Sequence, residues 1–161
     1  MLLQVEAGDL WTGPEDAWRV VPTNLVTRRD GTAVMGAGVA LQAAGRFPEL
    51  PARYGRFLEA RTPGLFRDDE FRIVCLPTKM HWREGANPAI VSKGLLALRT
   101  FALVRRGQEV RLPMIGAGLG RLPAKDVRDL IQRALGSLPN VTLVLSGAEV
   151  ARSLRLAGES R

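Results

Sequence analysis

Short apolar runs alternate with longer amphipathic segments along the 161 residues of this chain. Runs of about four to eight apolar and β-branched residues are typical of buried strands. Five such runs predict strands over residues 2–7, 18–24, 71–77, 109–114 and 141–146. The intervals between the runs are long enough to hold loops and helices.

Amphipathic segments lie in those intervals. Asn87 and Pro88 make a favourable helix start, because Asn caps free backbone N–H groups and Pro fits the first helical turn. Pro48 and Pro123 begin two further segments for the same reason. The predicted helices cover residues 38–46, 48–60, 88–104, the segment from 123 onward, and 148–156. Strands that alternate with helices predict an α/β domain with helices on both faces of the sheet.

Length and composition favour one globular domain over residues 1–161. Hydrophobic residues make up 46% of the chain and charged residues 24%, which is ordinary for a folded domain. The N-terminus does not resemble a signal peptide, and no apolar stretch reaches the roughly 18 residues of a membrane span. The single cysteine, Cys75, has no disulfide partner and no cluster of metal-ligating residues near it in sequence. We therefore expect a cytoplasmic protein that uses neither a metal nor a cofactor.

The formal net charge of +7 favours acidic partners such as phosphates or nucleic acid. The arginines are spread along the chain, however, so the charge is equally compatible with an ordinary solvated surface. Lysine is rare, since 3 lysines stand beside 20 arginines. Lysine is therefore not the default surface cation of this chain, and the position of each lysine is informative.

Two glycine clusters each lead into a predicted helix. The first is "VMGAGVA", residues 34–40, and the second is "PMIGAGLGRL", residues 113–122. Glycines let backbone N–H groups line a concavity, and a helix N-terminus adds positive potential, so two such loops can bind both phosphates of a pyrophosphate. Two unrelated turns would give the same pattern. Neither cluster contains a Walker motif or a convincing Rossmann fingerprint.

Three polar residues follow predicted strands, at the ends where α/β proteins bind ligands. Asp9 can accept a hydrogen bond from an adenine amino group or form a turn. Asn24 can bond a ribose hydroxyl through its amide or serve as a turn residue. Lys79 in "PTKMHW" can act as a nucleophile or base, contact a phosphate, or remain solvated. We assign its neighbours His81 and Trp82 to packing at the sheet edge.

Taken in order, these segments resemble the macrodomain family, an ADP-ribose-binding α/β module. The matching residues are "GDL" at 8–10, the strand that ends at Asn24, and the two glycine segments at 34–40 and 113–122. "VMGAGVALQAAGRFPEL" and "LPTKMHWRE" are most similar to the branch of DarG-type DNA ADP-ribosyl glycohydrolases and terminal ADP-ribose protein glycohydrolases. The resemblance implies a three-layer α/β/α fold with a central mixed sheet.

The resemblance also implies a role for each matching residue. Asp9 would hold the adenine amino group, with the backbone of Leu10 beside it, and Asn24 would face the distal ribose. Lys79 would be the catalytic residue that removes ADP-ribose. The remaining ADP-ribose-binding residues would line the distal ribose and the diphosphate: Gly36, Ala37, Gly38, Val39, Ile115, Gly116, Ala117, Gly118, Leu119 and Gly120.

Two departures from the family's pattern bear on the mechanism. The link after Asn24, "LVTRRDGTA", is longer than is usual in this branch, and its Arg-Asp-Gly predicts a hairpin tip. Arg28 and Arg29 would then reach a phosphate or nucleic acid. The human-type glycohydrolases of this branch carry an acidic residue where this chain has Gly120, which argues against a mechanism that requires that carboxylate. The antitoxin relatives manage without it.

Three hypotheses of function follow. The first is an ADP-ribosyl glycohydrolase that uses Lys79 on ADP-ribosylated nucleic acid or a related substrate, either by attack on C1″ or electrostatically. The second is a non-catalytic ADP-ribose reader, which Gly120 favours and the "PTKMHW" context opposes. The third, a basic nucleic-acid-binding domain without ADP-ribose, rests on charge alone. We expect a monomer, with ADP-ribose or an ADP-ribosylated substrate as partner, nucleic acid and a toxin as further candidates, and no membrane.

Overall fold

The computed structural model describes residues 3–117 and 120–152. Six strands form one sheet in the order β1-β6-β5-β2-β4-β3. The strands are β1 (Gln4–Ala7), β2 (Trp18–Thr23), β3 (Phe66–Asp68), β4 (Ile73–Pro77), β5 (Val110–Leu112) and β6 (Val141–Leu145). The helices are α1 (Gly38–Arg46), α2 (Leu50–Glu59), α3 (Pro88–Leu103) and α4 (Ala124–Leu135), and residues 147–152 are also helical. No helix in the described residues combines the length and the hydrophobicity needed to cross a membrane.

The predicted strands and helices are confirmed where the structure describes them, and one strand was not predicted. β3 has only three residues, which is too short to show an alternating pattern. It pairs antiparallel with β4 at the sheet edge, whereas the other strand pairs are parallel, so the sheet is mixed. Residue 2 of the first predicted strand and the end of the helix predicted over 148–156 lie outside the described residues.

Apolar side chains on the two faces of the sheet belong to two separate cores. Val20 and Val74 pack in the core that also contains buried residues of α3 and α4. Val21 and Ile73 pack in the core that contains buried residues of α1 and α2. Because successive strand residues point to opposite faces, this alternation places helices on both sides of the sheet. The three-layer α/β/α architecture is confirmed.

Residues 8–17 cross from β1 to β2 without forming a helix, and two arginines anchor this crossover. Arg19 and Arg111 are register partners on β2 and β5. The guanidinium of Arg19 donates to the backbone carbonyls of Leu10 and Thr12, each at 3.0 Å. Arg111 is 1% exposed and also donates to the carbonyl of Leu10, at 3.4 Å. The carbonyls of the crossover therefore satisfy guanidinium N–H groups that face the interior.

Two carboxylates offset the charge of this arginine pair. Arg111 donates to Glu6 at 2.6 Å and to Glu109 at 2.8 Å. Burial acts to lower the pKa of Arg111, but these two hydrogen bonds outweigh it, and the pKa is raised. Burial, together with the neighbouring Arg111, lowers the pKa of Arg19. The ion pairs and the carbonyl contacts hold the start of the crossover against the sheet.

Candidate functional site

A cavity of about 820 Å³ opens beyond the C-terminal ends of β2, β4 and β5. Its volume lies within the range of small-molecule sites, and its position is where parallel α/β sheets bind ligands. The structure brings both glycine segments, the asparagine and the lysine to this one cavity. Nine of the fourteen predicted site residues line it: Asn24, Gly36, Ala37, Gly38, Val39, Lys79, Gly116, Ala117 and Gly120.

Backbone hydrogen bonds fix Lys79 beside the end of β2. The N–H of Thr78 donates to the carbonyl of Thr23 at 2.9 Å, and the N–H of Leu25 donates to the carbonyl of Met80 at 3.1 Å. These bonds lie on either side of Lys79, so its Cα has little freedom to move. The Lys79 side chain is half-buried and lines the cavity.

The amide of Asn24 has a structural task as well as a place on the cavity wall. Its Nδ2 donates to the carbonyl of Val34 at 3.1 Å, and its Oδ1 accepts from the N–H of Val26 at 2.9 Å. A primary amide has two N–H donors and two acceptor lone pairs. These two bonds use one donor and one lone pair, so one donor and one lone pair are left for a ligand. The turn role and the ligand role that the sequence left open for Asn24 are therefore compatible.

The link that follows Asn24 forms the predicted hairpin. Thr27 and Ala33 make an antiparallel bridge, and the N–H of Gly31 donates to the carbonyl of Arg28 at 2.9 Å. Hydrogen bonds from Thr32 lower the pKa of Asp30 at the tip. The hairpin tip is confirmed, and both arginines on it are exposed. Their contact with a phosphate or nucleic acid stays a prediction.

The first glycine segment presents a helix N-terminus to the cavity. α1 begins at Gly38, whose φ of +56° lies in the left-handed region that favours glycine. Ala37 precedes the helix with extended backbone, and no side chain among the described residues caps it. Residues 36–40 line the cavity. Because the first N–H groups of a helix lack intrahelical partners, this end of α1 is suited to an anion.

Two glycines of the second segment pack closely against neighbouring side chains. The N–H of Ala86 donates to the carbonyl of Gly120 at 2.8 Å, which joins this segment to the loop after Lys79. A Cβ at residue 120 would lie 3.0 Å from the Cβ of Ala86, and a Cβ at Gly116 would lie 3.0 Å from Cδ1 of Leu122. A side chain at residue 120 would therefore press against Ala86 in the loop after Lys79. Gly118 and Leu119 lie outside the described residues.

The charged side chains on the cavity wall are mainly cationic. Lys79, Arg83 and Arg121 line it together with one carboxylate, Glu149, among the described residues. Glu149 Oε2 accepts from the N–H of Ser146 at 2.7 Å, and Ser146 Oγ accepts from the N–H of Glu149 at 3.3 Å. This capping box is visible in the sequence, but its position on the cavity is not. The positive balance suits a diphosphate.

Three predicted site residues do not line this cavity. The side chain of Ile115 is fully buried in the α3–α4 core. The Asp9 carboxylate accepts from the N–H of Trp11 at 2.8 Å, which is the turn role considered from the sequence. Leu10 is buried, and its carbonyl accepts from the two arginines under the crossover. Contact of these residues with ADP-ribose stays a prediction.

The structure places Trp82 on the cavity wall rather than in the edge packing that the sequence predicted. Its side chain is 46% exposed and lines the cavity. The Arg83 guanidinium lies 4.7 Å from the centroid of the indole ring, and the His81 ring lies 5.2 Å from it. In the sequence, Trp82 is a single aromatic residue in the loop after a strand, and that position does not reveal whether its side chain is exposed.

The curated proteins similar to this chain include DNA ADP-ribosyl glycohydrolases. No protein-family model matches it. Two curated relatives are the DNA ADP-ribosyl glycohydrolases of Mycobacterium tuberculosis and Thermus aquaticus, which are 31% identical over 144 residues and 32% identical over 149 residues. These matches cover 83% and 87% of this chain but 40% and 39% of the relatives. The chain thus spans about two fifths of the length of the curated relatives it matches.

Solved structures are similar to this chain over about nine tenths of its length. The macrodomain of Thermus aquaticus DarG is 31% identical with a TM-score of 0.73, covering 90% of this chain and 97% of that one. The macrodomain of Mycobacterium tuberculosis DarG is 29% identical with a TM-score of 0.72, covering 89% and 97%. Thermosipho africanus DarTG in complex with ADP-ribose, 21% identical over 91% of this chain and 42% of that one, has a TM-score of 0.73 and shares the fold. The chain belongs to the macrodomain family, in its DarG-type branch.

Proposed function

We propose that this chain binds ADP-ribose in the cavity and hydrolyses the bond that links ADP-ribose to a nucleic acid or a related macromolecule. One observation carries the proposal: Lys79 shares one cavity with Asn24 and both glycine segments. The names of the curated relatives, DNA ADP-ribosyl glycohydrolases, support the reaction class and the nucleic acid. The ADP-ribose in the Thermosipho africanus DarTG structure supports the ligand.

The diphosphate would lie between the two glycine segments. The free N–H groups at the start of α1 would bind one phosphate, and the backbone of Gly116, Ala117 and Gly120 would enclose the other side. Asn24 would bond the distal ribose with its remaining donor and acceptor. Asp9 and the Leu10 backbone would hold adenine beyond the cavity, on the crossover that the two arginines anchor.

Lys79 would act on C1″ of the distal ribose in one of two ways. In the first, the neutral amine attacks C1″, the bond from C1″ to the leaving base breaks, and the proton lost by the amine passes to the base. The ribose opens to an imine, and water hydrolyses it to return the amine and release ADP-ribose. In the second, the ammonium stabilises the charge that develops on the leaving base, and water attacks C1″ directly.

Borohydride distinguishes the two routes. It reduces an imine to a stable amine, so the first route predicts an ADP-ribose adduct on Lys79 by mass spectrometry. The second route predicts turnover without any adduct. Residue 120 is a glycine and supplies no carboxylate, so Lys79 acts in both routes without an acidic partner at that position.

The main alternative is a reader that binds ADP-ribose without releasing it. The absence of a carboxylate at Gly120 favours this alternative, because a glycine supplies no general acid or base there. A toxin partner is a further prediction, which rests on the resemblance to antitoxin relatives.

Release of ADP-ribose separates the enzyme from the reader. The protein should be incubated with base-modified single-stranded DNA and with glutamate-linked ADP-ribosyl protein, while calorimetry measures its affinity for free ADP-ribose. An enzyme releases ADP-ribose from at least one substrate, whereas a reader binds ADP-ribose and releases none. Absence of ADP-ribose binding would contradict both functions and favour a basic nucleic-acid-binding domain.

A further inference from the structure

One large apolar side chain of the cavity wall is exposed. Seven large apolar side chains are exposed in the described residues, and Trp82 is the one among them that lines this cavity. Leu25 and Met80, which are also exposed, directly follow Asn24 and Lys79 in sequence and share a backbone hydrogen bond of 3.1 Å, but they do not line the cavity. The exposed indole of Trp82 is therefore the large apolar group that this site offers to a ligand.

The loop that carries Trp82 is held in place. The N–H of Arg83 donates to His81 Nδ1 at 3.1 Å, and the N–H of Glu84 donates to the carbonyl of His81 at 3.0 Å. The hydrogen bond from Ala86 to the second glycine segment anchors the end of the loop. The indole is therefore presented by an ordered turn, which lowers the entropy that a contact with it would cost.

Trp82, with the Arg83 guanidinium over its ring, forms a cationic aromatic surface, which we call the Trp82 platform. The guanidinium lies 4.7 Å from the ring centroid, and almost half of the Trp82 side chain is exposed. Nucleobases stack on aromatic rings and on guanidinium planes in single-stranded nucleic acids, and neighbouring phosphates are attracted to the cation. A carboxylate-linked protein side chain offers no such ring.

We propose that the Trp82 platform binds the nucleobase to which ADP-ribose is attached, and so selects base-linked over protein-linked substrates. This inference rests on the proposed function, because it needs C1″ of the distal ribose to lie near Lys79. Both residues line the same cavity, and they are three positions apart on one ordered turn. A base in a duplex cannot stack on the platform, so the base must be unpaired or unstacked.

A backbone hydrogen bond joins the start of the exposed hairpin to the loop that carries the platform. The hairpin begins at Leu25, whose backbone is bonded to the platform loop, and it carries exposed Arg28 and Arg29. Arginines on this hairpin suit the phosphates that flank a modified base in a strand. Such contacts would favour a modified base within a strand over an isolated modified nucleotide.

The test compares Trp82→Ala, Trp82→Phe and a surface control on two substrates. Leu96→Ala is the matched control, because Leu96 is a large apolar side chain, 63% exposed, on α3 outside the cavity lining. Trp82→Ala should lower the ratio of kcat/KM on base-linked single-stranded DNA to that on glutamate-linked protein by about tenfold, as base stacking predicts. Trp82→Phe should recover most of the ratio, and Leu96→Ala should not change it. An equal loss on both substrates, or no loss, would overturn the proposal.

Binding tests the platform separately from turnover. In a Lys79→Ala background, base-modified single-stranded DNA should bind more tightly than free ADP-ribose. Trp82→Ala should lower the ratio of these two affinities by about tenfold. Equal affinities for the two ligands with Trp82 present would overturn the platform even if the enzyme proves active. A tighter affinity for modified DNA without any turnover by the wild-type protein would support the platform and contradict the hydrolase.

Discussion

Replacing Gly120 by Ala tests whether the two loops on the cavity are packed as closely as the structure shows. The added Cβ would lie 3.0 Å from the Cβ of Ala86, whereas carbon atoms attract best at about 3.5–4.0 Å. The loops cannot simply separate, since the N–H of Ala86 donates to the carbonyl of Gly120 at 2.8 Å. Overpacking of this kind costs about 1–3 kcal/mol. For a chain of this length, a loss of about 2 kcal/mol lowers Tm by about 4–8 °C.

A double-mutant cycle isolates this contact. Ala86→Gly removes the methyl group that the new Cβ would meet, so Gly120→Ala should cost less in that background by about 1–2 kcal/mol. The assay is urea unfolding of the wild-type protein, both single variants and the double variant, with Tm as a second readout. Affinity for ADP-ribose should fall in Gly120→Ala and partly recover in the double variant. Additive changes in the free energy of unfolding would refute the steric account of Gly120.

Two further predictions concern the packing behind the site. Gly55→Ala should lower the free energy of unfolding by about 1–3 kcal/mol, because its Cβ would clash with the backbone carbonyl of Gly31 at the hairpin. Gly45→Ala should instead raise the free energy of unfolding by up to about 1 kcal/mol, because its Cβ would meet no heavy atom within 4 Å. If urea unfolding shows that both variants change this free energy in the same direction, the packing at Gly55 is contradicted. Full burial raises the pKa of the Cys75 thiol, so a thiol reagent near about pH 8 should modify the unfolded but not the native protein. Rapid labelling of the native protein would contradict that burial.

The sequence predicted the layers and most of the cavity wall because those features depend on local pattern. The start of α1 at Gly38 follows from a glycine turn ahead of an alanine-rich segment, and the hairpin tip follows from Arg-Asp-Gly. The convergence of the glycine segments with Asn24 and Lys79 follows from strand order, since the C-terminal ends of parallel strands meet at one edge.

Features that depend on distant partners could not be predicted. Arg111 sits inside an apolar strand, and its charge is satisfied by Glu6, 105 positions away. The confinement of Gly120 by Ala86 and the exposure of Trp82 likewise depend on how the loops pack in three dimensions. β3 was missed for a different reason, because three residues are too few for a periodic signal.

The most direct test of the central claim is single-turnover release of ADP-ribose from base-modified single-stranded DNA by the wild-type protein, Lys79→Ala and Lys93→Ala. Lys93 is an exposed lysine on α3 outside the cavity lining and provides the matched control. We predict release by the wild-type protein and Lys93→Ala, a loss of at least about 100-fold in Lys79→Ala, and ADP-ribose affinity within about threefold in all three. Release by Lys79→Ala at the wild-type rate would contradict the account.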